Sequence, residues 1–307
     1  MNPGNRWEFT DDRGHLTVVP NRPARVVAYI QAGATLWDHG LRPLGVFGSH
    51  HDGAAPDPAK AGELPLDELR DFGAGSGLDL DALLAAEPDL VVAVSYGGGQ
   101  VYGIDPEAAK RLEERLPVVV LDVGKDRTFD GIRDRFTELA RSLDAPRPPA
   151  VAELDRAESR LRTTAAWPDA PRVLALSAAD PATAYLARPL TWPDLRALGE
   201  LGVTLIEPEE GGGANWRTVG WSEAAALEPD IVLTDVRANA EPRARLRDSA
   251  HWRAVEERAR IAPWNPEAPY SHLAHARFLD TVADAIEGVD GTNGTNGADA
   301  ADGTDAP

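Results

Sequence analysis

The sequence predicts an α/β protein of two lobes, each a mainly parallel sheet flanked by helices, with a rigid helical linker between them. The main evidence is a repeat. Residues 83–92 pass from a short apolar helix through Glu-Pro-Asp into an apolar strand, and residues 225–233 do the same about 141 positions later. A second pair of matching segments, each a strand that leads into a helix, begins at Arg25 and Arg172. Two features that repeat in the same order predict a duplicated unit, one copy in each lobe.

The proline of each Glu-Pro-Asp gives this repeat a physical basis. A residue before proline is pushed out of the helical region, so a helix is expected to end at Glu87 and again at Glu228. The segments that follow, at 90–94 and 231–233, are apolar without alternation. Such segments are typical of strands that are buried on both faces of a parallel sheet.

The first lobe is predicted to span residues 1–145 and to begin with an edge hairpin over 5–20. Asp11-Asp12-Arg13-Gly14 supplies the turn of this hairpin. The further predicted elements are strand 25–30, helix 33–39, strand 44–48, a long loop to about 78, helix 79–86, strand 89–94, helix 105–115 and strand 117–122.

Two helices are predicted between the lobes, because apolar residues follow a helical spacing on either side of Pro148-Pro149. We assign 146–170 to the linker helix and 171–287 to the second lobe, which closes with a helix near 271–287. A helical connection is stiffer than a Gly/Ser linker, so a nearly fixed cleft is expected. The tail, 288–307, has almost nothing apolar to bury and is expected to be disordered.

Composition excludes several classes of function. The net charge of −19 argues against a surface for nucleic acid or anionic membrane. The chain has no cysteine, so disulfides, thiolate metal sites and a lipid-modified cysteine are not expected for the chain as given. No stretch approaches the ~18 apolar residues of a transmembrane helix, and the N-terminus lacks the pattern of an export signal. A cytoplasmic protein is therefore expected if the sequence is complete.

A ligand site is expected just beyond the carboxyl ends of the strands, where open α/β sheets bind their ligands. The residues there are rich in aromatic and arginine side chains, which suit a bulky, partly anionic ligand. The candidate ligand-binding residues are Gln31, Tyr96, Tyr185, Arg188, Trp192, Trp216, Arg217, Arg237 and Trp264.

Metal and catalytic chemistry receive little support from the same segments. His50 and His51 are adjacent on a loop, where side chains rarely converge on one ion, so no protein metal site is expected. Ser95 lies in a sequence similar to a nucleophile elbow but lacks its first glycine, and no partner base or acid is marked. No catalytic residue is assigned, although an intracellular esterase or chelate-processing enzyme on the same scaffold remains the competing class of function.

The order of these motifs resembles the helical-linker (class III) substrate-binding proteins of ABC importers, which serve ferric siderophores, haem and cobalamin. The resemblance covers about residues 15–287. The motifs that carry it are residues 25–29, the helix to Gly40 with the strand at 44–46, both Glu-Pro-Asp units, and His251-Trp252-Arg253-Ala254-Val255 before Arg260-Ile261.

The resemblance implies a monomeric, non-enzymatic receptor outside the cytoplasm that delivers its ligand to the subunits of an ABC permease. It implies a small-molecule metal chelate as ligand, a ferric siderophore first and cobalamin or haem as alternatives. Iron would then arrive within the chelate, with no covalently bound cofactor. The arginines of the cleft would pair with acidic groups of the ligand. One acid in each lobe, Asp81 and Glu223, would contact the permease.

Overall fold

A computed structural model describes residues 6–49, 51–53 and 55–295 of the chain. These residues form two α/β lobes, as the sequence predicts. Each lobe has its own sheet and its own apolar core. Within the described part of the chain, none of the helices combines the length and apolar character that crossing a bilayer requires.

The first lobe contains a separate antiparallel hairpin and a five-stranded parallel sheet. The hairpin consists of β1 (Trp7–Thr10) and β2 (Leu16–Val19). The strands and helices that follow are β3 (Val26–Tyr29), α1 (Ile30–Asp38), β4 (Gly45–Gly48), α2 (Pro58–Ala61), β5 (Arg70–Ala74), α3 (Leu80–Ala85), β6 (Leu90–Ser95), α4 (Pro106–Glu113), β7 (Val118–Asp122) and α5 (Phe129–Ser142).

The sheet of the first lobe has the strand order β5-β4-β3-β6-β7. Strand β6 is buried along its whole length, as its uninterrupted apolar sequence predicts. The predicted long loop up to residue 78 is wrong in part, because it contains helix α2 and strand β5. Strand β5 has no apolar run because it lies at the edge of the sheet, where Phe72 alone is buried. The sequence of β5 therefore shows no hydrophobic pattern that would predict a strand.

The second lobe contains a six-stranded mixed sheet. The elements are α6 (Val151–Ala165), β8 (Arg172–Ala178), β9 (Thr183–Ala187), α7 (Pro193–Glu200), β10 (Thr204–Leu205), β11 (Trp216–Gly220), α8 (Trp221–Ala226), β12 (Ile231–Asp235), α9 (Arg243–Leu246), α10 (Ala250–Arg258), β13 (Arg260–Trp264) and α11 (His272–Thr295). The strand order is β11-β9-β8-β12-β13, with β10 beside β8. Strands β8, β10, β12 and β13 run parallel, and β9 is antiparallel to both of its neighbours.

Helices α5 and α6 lie on either side of the crossing between the lobes. The buried side chains of α5 belong to the core of the first lobe, and those of α6 belong to the core of the second. The crossing itself therefore lies in the short segment 143–150 between them. The last helix, α11, packs along α6 and extends to Thr295, past the expected boundary at 287, because Val289 still packs against the core of the second lobe. Residues 296–307 of the predicted tail lie outside the described residues.

The duplicated Glu-Pro-Asp unit adopts the same conformation in both lobes. Helices α3 and α8 both end just before it, and Glu87 and Glu228 both have left-handed backbones, with φ of 49° and 48°. A left-handed residue ends a helix because it turns the chain away from the helix axis. The proline thus ends each helix, as predicted.

The two repeated segments of the sequence contact each other in each lobe. The Asp89 carboxylate accepts hydrogen bonds from the backbone N–H groups of Ala24 and Arg25, and the Arg25 side chain donates to the carbonyl of Glu87. In the second lobe, Arg172 donates its backbone N–H to Asp230 and its side chain to the carbonyl of Leu227. In each lobe, these bonds join the start of one central strand, β3 or β8, to the end of the helix that precedes the neighbouring strand, β6 or β12.

Candidate ligand-binding cleft

Two adjoining cavities lie between the lobes, at the carboxyl ends of β6, β7 and β12. We call the one of about 270 Å³ the Trp216 cavity and the one of about 300 Å³ the Lys125 cavity. Both are lined by Tyr96, Trp192 and Asn215. The Trp216 cavity is also lined by His51, Tyr102, Trp216, Arg237, Asn239 and Glu267, and the Lys125 cavity by residues that include Gly97, Asp122, Lys125, Asp126, Thr191 and Tyr270.

Aromatic rings from both lobes form the walls of the Trp216 cavity. On the side of the first lobe, the ring centroids of Tyr96 and Tyr102 lie 4.6 Å apart. On the opposite side, those of Trp192 and Trp216 lie 4.9 Å apart. Paired rings of this kind present large, rigid apolar surfaces to a ligand at small cost in side-chain entropy.

Local backbone features place these rings. Tyr96 comes directly after β6, and the glycines that follow it, Gly97 to Gly99, all have positive φ and turn the chain sharply. Gly124 on the neighbouring loop has no room for a Cβ, which would lie 2.8 Å from the carbonyl carbon of Tyr96. On the other wall, the indole N–H of Trp192 donates to the carbonyl of Asn215 at 3.2 Å, which holds the ring against the loop that leads to Trp216.

A buried carboxylate, Glu267, is the hub of an ion network that spans the cleft. Its Oε2 lies 2.7 Å from the Lys60 ammonium and 3.0 Å from an Arg237 nitrogen. Its Oε1 accepts hydrogen bonds from the hydroxyls of Tyr29 at 2.8 Å and Tyr96 at 3.3 Å. Lys60, Tyr29 and Tyr96 belong to the first lobe, whereas Glu267 and Arg237 belong to the second.

The same network contains two further carboxylates. Asp52 lies 2.5 Å from the Lys60 ammonium, and both groups are about 1% exposed. Asp235 receives hydrogen bonds from the Arg237 guanidinium at 2.8 to 3.2 Å. Although burial opposes ionisation of Glu267, the adjacent Lys60 and Arg237 hold its pKa below the ordinary value. Glu267 is therefore an anion that its two cationic neighbours stabilise.

Residues 265–271 fasten the two lobes together beneath the cleft. Asn265 donates a hydrogen bond to the carbonyl of Ala59, and Gln31 donates one to the carbonyl of Ala268. The ring of Tyr270 inserts into the core of the first lobe and stacks on Phe136. These contacts couple the base of the cleft to both cores.

Four of the predicted ligand-binding residues line the cavities: Tyr96, Trp192, Trp216 and Arg237. Two others are turned inward. Trp264 is 1% exposed, and its indole N–H donates to Asp194 at 2.6 Å, behind Trp192 and Trp216. Gln31 is 0% exposed and serves the contact between the lobes.

Three predicted residues lie outside the lining of both cavities. Tyr185 is on β9, with its ring 6.4 Å from that of Trp216. The Arg188 guanidinium donates to the carbonyls of Glu209, Gly211 and Gly213. Arg217 forms ion pairs with Glu209 and Glu223.

The two acids expected to contact a permease occupy equivalent places, in the first turns of α3 and α8. Asp81 has a side chain that is 89% exposed and lies 3.5 Å from Arg111. Glu223 is 49% exposed and bonded to Arg217. Their role in docking remains a prediction.

Several residues of the cleft and its network are not among the candidates from the sequence, including Tyr29, Lys60, Tyr102, Asn239 and Glu267. Tyr29 is the last residue of β3, so the strand-end rule could have found it. Lys60 lies in the single helical turn α2, inside the segment predicted as loop. Glu267 comes three residues after β13, and no pattern in the sequence marks its partners, which come from distant parts of the chain.

Comparison with known proteins identifies similar chains. Residues 27–262 match a family model described as periplasmic binding protein. A solved structure of DesE, a ferric-siderophore receptor protein from Streptomyces coelicolor, has 28% sequence identity and a TM-score of 0.81, covering 92% of this chain and 98% of that one. A search of curated proteins found no match.

Two more distant structures share the fold. The siderophore binding protein FhuD from Vibrio cholerae, solved with Fe3+-Desferal, has 18% identity and a TM-score of 0.61 over 87% of this chain and 98% of that one. The petrobactin-binding protein YclQ from Bacillus subtilis has 14% identity and a TM-score of 0.68 over 92% and 99%.

Proposed function

Because the chain belongs to the periplasmic binding protein family, with the helical-linker (class III) architecture, we propose that it binds a ferric siderophore between its lobes and delivers it to an ABC permease. The protein is a solute-binding receptor and not an enzyme. Proteins of this family normally work outside the cytoplasm. The identity of the ligand and its place in the cleft are the proposal.

The observation that carries the proposal is the pair of adjoining aromatic cavities between the lobes. At about 270 and 300 Å³, the two together have the size of a typical pocket for a drug-sized ligand. Tyr96 and Trp192 line both cavities, so one ligand can occupy both spaces at once. Tyrosine hydroxyls and Asn215 and Asn239 amides supply polar contacts. The similarity to DesE, a ferric-siderophore receptor, supports the same class of ligand.

The proposal is tested by titrating the protein with ferric siderophores, haem and cobalamin while tryptophan fluorescence is recorded. A ferric chelate bound against Trp192 and Trp216 is expected to quench the emission and to saturate at one ligand per chain. Trp216→Ala is expected to weaken binding at least tenfold, because loss of a central aromatic contact typically removes about 2 kcal/mol. Trp167→Ala is the matched control, since Trp167 is also a half-buried tryptophan of the second lobe but lies outside both cavities.

The possible outcomes test the receptor function and the identity of its ligand separately. Saturable quenching by haem or cobalamin alone would leave a receptor and reject the siderophore. Absence of binding by every compound in the panel would reject the proposed function. An equal loss of affinity in the Trp216 and Trp167 variants would reject the cleft as the site.

A further inference from the structure

The cations of the Trp216 cavity are already neutralised by the protein itself. Arg237 is the arginine of its lining, and its guanidinium is shared between Asp235 and Glu267. Lys60, directly behind, is shared between Asp52 and Glu267. Two cations thus face three carboxylates within the buried network. An anionic ligand group that reached for Arg237 would have to compete with two carboxylates that are buried and close to it.

The Lys125 cavity offers no excess of positive charge among its described lining residues. Lys125 is exposed there beside two acids of the same loop, Asp122 and Asp126. Asp122 is in turn 3.2 Å from Arg127. The formal charges of this loop therefore cancel.

Arg188 and Arg217, which the sequence suggested as partners for acidic ligand groups, bind other groups of the protein instead. Arg188 binds backbone carbonyls of the loop before β11, and Arg217 binds two glutamates. The whole chain adds to this balance with a net charge of −19. A field of that sign repels polyanions before they reach the cleft and attracts cations.

We infer that the cleft selects ferric chelates whose net charge is zero or positive and discriminates against anionic ones; this inference rests on the proposed function. A neutral chelate, such as ferric iron held by three hydroxamates, loses little hydration free energy when it is enclosed by the aromatic walls. A cationic arm on the chelate gains attraction from the faces of Trp192 and Trp216 and from the field of the acidic chain. An anionic chelate would leave its charge buried without a free cation, which is costly.

The test compares three forms of one ferric chelate that differ in the charge of a terminal group. Ferric Desferal carries a terminal amine and a net charge of +1, its N-acetyl derivative is neutral, and its N-succinyl derivative is −1. A ferric tris-catecholate, with a charge of −3, extends the series. Equilibrium titration of the unmodified protein is expected to show similar affinities for the first two, at least tenfold weaker binding of the succinyl form, and weakest binding of the tris-catecholate.

A gain of charge in the cleft provides the converse test. Asn239 lines the Trp216 cavity and is exposed, so Asn239→Lys adds a cation there with little risk to folding. This change is expected to raise affinity for the succinyl form about tenfold relative to the amine form. Ala152→Lys, on the exposed face of α6, makes the same change in net charge away from the cleft and is the matched control.

The results distinguish this inference from the proposed function. Equal or tighter binding of the anionic forms by the unmodified protein would overturn the charge selection and leave the siderophore receptor intact. An unchanged preference in Asn239→Lys, or the same change in Ala152→Lys, would also overturn it. Failure of every ferric chelate to bind would overturn the proposed function and the inference with it.

Discussion

At the scale of single residues, the cleft contains aromatic rings that could be predicted from the sequence and an ion network that could not. Tyr96 could be predicted because it directly follows a strand, and Trp192 and Trp216 because they lie in segments with Gly, Pro or Asn. Trp264 satisfied the same rule but turned inward to Asp194. Side-chain direction at a strand end depends on neighbours from distant segments, so sequence position alone does not determine it.

Burial makes Asp194 a source of pH-dependent stability. Burial raises its pKa to about 6, even though the Trp264 indole donates a hydrogen bond to the carboxylate. In the unfolded chain the pKa is about 3.9. Since the folded state holds this proton more tightly, the group favours folding at pH values below about 4, and this contribution is lost as the pH rises to about 6.

Asp194→Asn removes the titration but keeps an oxygen that can accept the indole hydrogen bond. Between pH 4 and pH 7, we expect the free energy of unfolding of the variant to rise by roughly 2 kcal/mol relative to the unmodified protein. Chemical denaturation at the two pH values measures this difference. Asp248→Asn, at an exposed position, controls for the loss of a surface charge. Parallel pH profiles of the Asp194 variant and the unmodified protein would contradict the expectation.

At the scale of elements, the repeat in the sequence predicted more than the change from helix to strand. Arg25, just before β3, and Arg172, at the start of β8, belong to one pair of matches in the sequence, and the Glu-Pro-Asp units form another. The structure joins the two pairs by hydrogen bonds. Regular, buried elements such as β6 could be predicted because their apolar runs are unmistakable. The edge strand β5 and the single turn α2 could not, because one buried residue or one turn leaves no periodic pattern.

Three carbonyl groups of the loop before β11 accept hydrogen bonds from one side chain, that of Arg188. Arg188 donates to the carbonyls of Glu209 and Gly213 at 3.2 Å and also to that of Gly211, and so closes a segment with two glycines of positive φ. Asn215 of this loop lines both cavities, and its backbone carbonyl accepts a hydrogen bond from the indole N–H of Trp192. Arg188 is thus a positioning residue for one wall of the cleft.

Arg188→Ala is expected to weaken chelate binding roughly tenfold, about 1.4 kcal/mol, because the loop must then be ordered by the ligand. We expect the melting temperature to fall little, since the loop lies outside the cores. Calorimetric titration and thermal denaturation measure the two effects. Arg245→Ala, which removes an exposed arginine of the same lobe, should leave affinity unchanged. If Arg188→Ala binds as tightly as the unmodified protein, the loop needs no such anchor.

At the scale of the whole molecule, contacts between the lobes add to the covalent connection through residues 143–150. Residues 265–271 contact both cores, and Arg196 from α7 donates to the backbone of Lys125 and Arg127 across the cleft. A nearly fixed cleft stays a prediction. A larger cavity of about 490 Å³ lies within the second lobe, near Trp252 and Arg243, and its lining residues all come from that lobe. Among the described residues, the cleft is therefore not the only place with sufficient volume for a chelate.

The position of iron in a complex with a ferric chelate distinguishes these places most directly. Crystals of the protein with ferric Desferal, measured with X-rays at the iron absorption edge, report that position as an anomalous density peak. One strong peak is expected between the tyrosine pair Tyr96 and Tyr102 and the tryptophan pair Trp192 and Trp216. A peak in the second-lobe cavity beside Trp252, or on the outer surface, would contradict binding between the lobes.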